Sequence, residues 1–228
     1  EAVLGNIGIE NFNIITKTSC LDNGVRRVVD DFYRSLERLN VDKVDGLLIH
    51  NFNDVIHPEF KVLLKYLKNL KQQGKIDKIG FSTYMPSQVD FLLDNFEFDL
   101  IQLPFNVFDY RLIKGNQLQK LKKYGVEIHA RSIFLQGVLL NFTDISNYFL
   151  PWSEQFFEYQ AVVKDMGLSL LEYALNFVLH TKEIDKILVG VDSYSQFREI
   201  LKSIKTNNTL PPFPINELGL IDPREWTL

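Results

Sequence analysis

The chain has 228 residues, 46% of them hydrophobic, with 25 basic side chains against 29 acidic ones and a net charge of −4. That is enough apolar material for one sizeable core. The acidic balance and the lack of a dense Lys/Arg block argue against a nucleic-acid partner. No 18-residue apolar run and no signal peptide is present, so no membrane partner is expected. Cys20 is the single cysteine. It excludes a disulfide framework and a CxxC metal site, and a reducing, cytoplasmic setting fits best. Its plain reading is a small residue in a strand-to-helix loop.

In chain order, Ile14 to Lys17 reads as a buried strand. A helix is predicted from Asp22 to Leu39, because Val25, Val28, Val29, Phe32, Leu36 and Leu39 recur at steps of three and four. Asn40 stops it. Val44 to Ile49 is the next strand and ends on His50. A helix follows to Gln73, stopped by Gly74. Ile76 to Phe81 is a strand, and Pro86 to Asn95 a helix with proline in its first turn. Leu100 to Leu103, helix Gln117 to Tyr124 and strand Val126 to Ala130 continue the alternation. An irregular stretch, Leu135 to Trp152, precedes helices at Ser153 to Met166 and Ser169 to His180. Strand Ile184 to Val189 and helix Ser195 to Ile204 come last. The proline-rich residues from Pro211 belong to an expected C-terminal arm, 206–228.

Alternating βα units imply a parallel sheet. No GxGxxG or P-loop is present, as a doubly wound sheet would usually show. A (β/α)₈ barrel needs eight strands, and six are counted. No composition break marks a second domain, so residues 1–228 are expected to form one barrel-type domain.

Ligands of parallel α/β proteins gather at the carboxyl ends of strands. Lys17 and His50 stand at two such ends. The lysine suits a cation that depresses a neighbour's pKa, or a Schiff-base nucleophile, or a strand-end lysine with its head in water. His50 suits hydrogen bonding to a substrate oxygen, proton exchange, or a structural role. No two histidines have metal-ligand spacing. Ser82 and Thr83 follow one strand and Gln102 and Asn106 mark the next; short amides and hydroxyls there can hold a carboxamide or a sugar. Arg131, followed by Ser132, can pair with phosphate or stack on a ring. Gly190 to Ser193 leads into a helix whose start offers N–H groups to an anion, or is simply capped by Asp192 or Ser193. Phe134, Phe142, Tyr148 and Trp152 are read mostly as packing residues.

Taken together, these strings resemble the aldo-keto reductase family. The likeness is carried by Ser35-Leu36-Glu37-Arg38-Leu39, Val41-Asp42, Leu47 to His50, Leu67 to Ser82, Ile101-Gln102, Asn106, and Gly190 through Ser193 to Gln196 and Glu199. The resemblance implies a (β/α)₈ barrel, a nicotinamide cofactor (NADPH, with NADH possible) and reduction of a small-molecule carbonyl to an alcohol. It places Lys17 and His50 in a catalytic Asp-Tyr-Lys-His set. The implied cofactor residues are Ser82, Thr83, Gln102, Arg131, Ser132, Gln136, Gly137, Gly190, Ser193, Gln196 and Glu199. The family's Ser-Asn pair reads Ser82-Thr83 here. A ring that usually stacks on the nicotinamide reads Arg131. The usual 2′-phosphate pocket has no basic residue apart from Arg198.

The family's Asp and Tyr fall before Lys17, and none of the nine tyrosines matches the catalytic one. The chain starts at Glu1 in what resembles the helix after that tyrosine. It is therefore expected to be a fragment with about six of eight βα units, inactive by itself. Two other readings stand beside this one: a non-catalytic cofactor-binding or regulatory barrel module, and a Schiff-base aldolase using Lys17.

Overall fold

The computed structural model describes residues 1–9, 11–143, 145–205, 209–215 and 217–227. The chain divides into two compact units, Glu1–Gln102 with Gly125–Glu127, and Leu103–Tyr124 with Ile128–Leu228.

The first unit opens with helix α1 (Ala2–Ile7) and strand β1 (Ile15–Lys17). Helix α2 (Val25–Leu39) and strand β2 (Val44–Ile49) follow. Helix α3 (Phe60–Gln72), strand β3 (Ile76–Ser82), helix α4 (Pro86–Asn95) and strand β4 (Leu100–Pro104) continue the alternation. β4 runs from the first unit into the second at Leu103. Helix α2 begins three residues later than its periodicity predicts. Gly24 sits at φ 82, outside helical geometry, and Leu21–Asn23 form a separate 3₁₀ turn. Asn40 ends the helix in the left-handed region, its N–H donating back to the carbonyls of Glu37 and Leu36.

β1, β2, β3 and β4 pair in parallel in that order. Leu47, Leu48 and Ile49 are fully buried, as a strand covered on both faces requires. Val28, Phe32 and Leu36 of α2 and Leu63 and Leu67 of α3 are buried as well. Phe60, Phe81, Phe96 and Phe98 add a cluster of ring contacts with centroids 5.2–6.4 Å apart.

In the second unit, helices α5 (Arg111–Lys114) and α6 (Gln117–Lys123) lead to strand β5 (Glu127–Arg131), whose first residue belongs to the first unit. The stretch read as irregular contains two 3₁₀ turns, Leu135–Leu140 and Asn147–Trp152. Helices α7 (Ser153–Asp165) and α8 (Leu170–Leu179), strand β6 (Lys186–Ile187), and helices α9 (Tyr194–Lys202) and α10 (Leu218–Ile221) complete it. β6 pairs in parallel with β5 but is shorter than the apolar run Ile184 to Val189 suggests. Asp185 N–H still donates to Ile128 O and Leu188 N–H to Ala130 O, at 2.9 and 2.8 Å, so the flanks keep contact outside the regular ladder. The Asp185 carboxylate is also drawn to the Ile128 N–H and to Lys122.

The proline-rich tail packs onto its unit: Phe213 and Ile215 N–H donate to Val107 and Phe108 carbonyls at 3.0 and 2.9 Å. Positions 206–208, 216 and 228 of the expected arm lie outside the described residues. Phe142 stacks on Phe156, Tyr148 Oη donates to Gly219 O, and Trp152 Nε1 donates to Glu217, so these three aromatics pack the unit.

Tyr159 is fully buried among Phe108, Phe142, Tyr173 and Phe213, and its hydroxyl has no hydrogen-bond partner among the described residues. An orphan buried hydroxyl costs about 1–3 kcal/mol. Tyr159→Phe is therefore expected to leave stability unchanged or raise it at neutral pH. Burial also pushes the Tyr159 phenol well above its ordinary value. Its proton is held in the fold and released on unfolding above pH 10, so stability falls as pH rises past the unfolded pKa, by about 1.4 kcal/mol per pH unit. Urea midpoints at pH 8 and pH 11 should fall less for Tyr159→Phe than for the parent; equal losses would reject this account.

Candidate cofactor and catalytic site

In the first unit, the register sets the predicted residues at the ends of four neighbouring strands. Lys17, half-buried, is the last residue of β1 and lies opposite Leu48. His50 follows β2 directly and is exposed. The two ends are tied by Thr18, a buried residue that sequence reasoning passes over. Its N–H donates to Leu48 O at 2.9 Å, and its Oγ1 accepts the His50 N–H at 3.2 Å. Only the pairing of β1 with β2 makes this threonine matter, so the sequence carries no signal for it.

Ser82 lies opposite Gln102 in the β3–β4 register, and the Thr83 N–H donates to Gln102 O at 3.0 Å. All three are buried, 1–3% exposed. The turn beyond them is set by Gln88, whose Oε1 accepts the N–H groups of Tyr84 and Met85 at 2.8 and 3.1 Å. A row of polar groups runs along β1 to β4: an ammonium, an imidazole and two hydroxyls at or just beyond strand ends, and an amide within β4.

Cys20, in the loop after β1, is not an activated nucleophile. Its Sγ donates to Asp22 Oδ2 at 3.2 Å and faces Asp54 Oδ1 at 3.8 Å. A backbone hydrogen bond at Asp22 lowers the thiol pKa, but the Asp22 carboxylate, desolvation and the Asp54 charge outweigh it and hold the thiol above its ordinary value. Burial likewise raises the Asp54 carboxyl, against the opposing Leu21 N–H.

The second unit contains a cavity of about 720 Å³. Its wall includes Ser132, Gln136, Gly137, Gly190, Gln196 and Glu199, six residues assigned to the cofactor from sequence. Phe134 lines it too. Two segments far apart in sequence meet here because β5 pairs with β6, which brings the loops after both strands side by side. The loop after β5 has unusual backbone geometry: Ser132, Leu135, Gln136 and Gly137 have φ of 57, 46, 55 and 92. Three non-glycine residues in the left-handed region within five positions mark a segment held by its surroundings. Asn106, 1% exposed, supplies part of the hold: its Oδ1 accepts the N–H groups of Phe108 and Asp109, and its Nδ2 donates to Ser132 O at 3.3 Å. Phe105 N–H donates to Arg131 O at 3.0 Å.

Of the cofactor residues predicted in the second unit, two, Arg131 and Ser193, are not on this wall, and Ser82, Thr83 and Gln102 belong to the first unit. Arg131 ends β5, with its Nη1 3.4 Å from Ser132 Oγ. Ser193 is the N-cap of α9, its Oγ accepting the Gln196 N–H at 3.2 Å, which decides between the two capping candidates.

A further cavity, about 740 Å³, lies in the first unit at the opposite, amino-terminal ends of β1 and β2, lined by Phe12, Ile14, Tyr33, Asn40 and Asp45. It touches none of the predicted site residues. Among the described residues, no group of three or more His, Cys, Asp or Glu side chains could hold a metal ion, and no helix is long and apolar enough to cross a membrane.

The model of the aldo/keto reductase family matches residues 7–218, and the chain belongs to that family. It is 31% identical over 199 residues to L-galactose dehydrogenase of Arabidopsis thaliana, covering 79% of this chain and 57% of that protein. It is 30% identical over 134 residues to glyoxal reductase of Bacillus subtilis, covering 58% of this chain and 46% of that protein. The chain thus spans about half the length of the curated relatives it matches. Among solved structures, aldo-keto reductase AKR11C1 from Bacillus halodurans aligns with a TM-score of 0.74 at 17% identity, over 96% of this chain and 73% of that one. Glycerol dehydrogenase AKR11B4 from Gluconobacter oxydans aligns at 0.71 and 21% identity, over 91% and 72%. The fold is that of these α/β barrel enzymes, with six of the eight βα units, and the family is one of oxidoreductases that generally bind NAD(P)H.

The cavity's chemistry fits such a dinucleotide. Gly137 and Gly190 present bare backbone on its wall, with nothing within 4 Å of where a Cβ would stand. Ser132, Gln136 and Gln196 supply hydroxyl and amide groups suited to a diphosphate and its sugars.

Proposed function

We propose that the chain carries Lys17, His50 and the dinucleotide cradle of an NAD(P)H-dependent reductase that converts a carbonyl to an alcohol. The observation that carries the proposal is that six residues assigned to cofactor binding from sequence line one cavity. The bound nicotinamide supplies the hydride. Ser82, Thr83 and Gln102 are assigned to its carboxamide, and the loop from Ser132 to Gly137 to the diphosphate. Lys17 is assigned the role of a fixed positive charge that lowers the pKa of the family's tyrosine acid, and His50 that of a hydrogen-bond donor orienting the carbonyl oxygen. The names of the two curated relatives point to small, oxygen-rich carbonyl compounds as substrates. The lone cysteine favours a reducing compartment such as the cytoplasm.

No tyrosine of this chain matches the family's acid, so the 228-residue chain is expected to bind reduced dinucleotide without turning over a carbonyl. Titration with NADH and NADPH, followed by nicotinamide fluorescence or calorimetry, tests this. Gly190→Leu fills open space on the cavity wall and should weaken binding about tenfold or more. Absence of binding to either dinucleotide would reject the assignment, and so would unchanged affinity in a folded Gly190→Leu chain.

A further inference from the structure

The rim of the dinucleotide cavity carries a charge pattern with a consequence for cofactor choice. Two carboxylates, Asp192 and Glu199, line it, and no lysine or arginine does. The basic residue nearest in sequence, Arg198, is off the wall; its guanidinium stands 5.7 Å over the Tyr194 ring. The start of α9, which would otherwise present N–H groups to an anion, is partly occupied by the chain itself. Gln196 N–H donates to Ser193 Oγ at 3.2 Å, and Asp192 N–H donates to Gln196 Oε1 at 2.7 Å.

A phosphate on the adenosine ribose brings a charge of about −1.5 to −2 at neutral pH. Beside Asp192 and Glu199 it would meet two like charges and a helix start whose Gln196 N–H is already taken by the Ser193 cap. A ribose with both hydroxyls free meets the opposite situation. Carboxylates accept hydrogen bonds from a vicinal diol, and an acidic residue on the ribose is a recurrent way of selecting the unphosphorylated dinucleotide.

Resting on the cofactor reading above, we propose that Asp192 and Glu199 make this a cavity for NADH that discriminates against NADPH. The family resemblance puts NADPH first, and the residues on the wall argue the other way. Both carboxylates are exposed, so their field is screened by salt, and the preference should narrow as ionic strength rises.

The test is equilibrium binding by calorimetry on the 228-residue chain, with NADH, NADPH, ADP-ribose and 2′-phospho-ADP-ribose as probes. The expected result is on the order of tenfold tighter binding of NADH than NADPH at low salt, with the same order for the two nicotinamide-free probes. Asp192→Arg should reverse or abolish the difference, mainly by tightening the phosphorylated probes. Asp192 is exposed in the cap of α9, so the variant is expected to fold, and Glu199→Gln provides a second, milder change in the same direction. NADPH binding as tight as NADH, or a preference that neither substitution moves, would overturn the inference while leaving the cofactor reading intact. If none of the four probes binds, the cofactor reading fails and the inference falls with it.

Discussion

Replacing Lys17 by methionine is expected to lower the rate of carbonyl reduction by about 10²–10⁴-fold, in a form of the protein that also carries the family's tyrosine acid. Dinucleotide affinity should stay within about threefold, because the cavity wall does not include Lys17. Methionine keeps the length and the apolar stem and removes only the charge. In the proposed mechanism that charge stabilises the ionised form of the acid and makes it a better proton donor to the carbonyl oxygen. Without it the tyrosine pKa rises towards its ordinary value and the barrier to protonation rises with it. Single-turnover rates separate this loss from any change in binding. A Lys17→Met protein with near-parental rates would reject the role. Lys17 is half-buried at the end of a three-residue edge strand with Thr18 tying the next residue to β2, so the variant should keep its fold. His50→Ala should give a smaller loss or a changed substrate preference, since a hydrogen-bond donor orients the carbonyl without taking up its charge.

The second large effect is structural. Gly80 sits in β3, paired with Leu48 on one side and Leu100 on the other. A Cβ there would stand 2.2 Å from Leu100 O, 2.7 Å from Leu100 Cγ and 2.8 Å from Leu48 Cδ2. The first of these is backbone in a paired strand, which cannot move aside without opening the β3–β4 ladder. Gly80→Ala should therefore destabilise the protein by about 3 kcal/mol or more, and Gly80→Val should prevent folding. A denaturant midpoint close to the parent's for Gly80→Ala would show that the strands separate more easily than this packing implies. Because Ser82 and Thr83 lie just beyond Gly80, any chain that survives the substitution should also bind dinucleotide more weakly.

Much of this is legible in the sequence. The apolar spacing along α2 located that helix to within three residues, and the miss at its start came from Gly24, whose backbone conformation the period does not report. Helix α4 begins and ends where predicted, because Pro86 marks its first turn. The last strand is shorter than its sequence predicts: Ile184 to Val189 is apolar enough for a full strand, yet the ladder spans only Lys186–Ile187. Regular pairing depends on the partner strand and on competitors such as the Asp185 carboxylate, and neither enters a count of apolar residues.

The sequence by itself determined the alternation of strands and helices, the placing of Lys17 and His50 at strand ends, and the family. These follow from periodicities and short ordered strings, which act over a few residues. Only the tertiary structure decided that Gln136 and Gly137 share a cavity with Gly190, Gln196 and Glu199, that Thr18 ties the strand ends carrying Lys17 and His50, and that Ser193 caps α9 rather than lining the wall. Each of these depends on a hydrogen bond or a close approach set by strand register and packing, and local residue preference does not encode which distant segment will supply the partner.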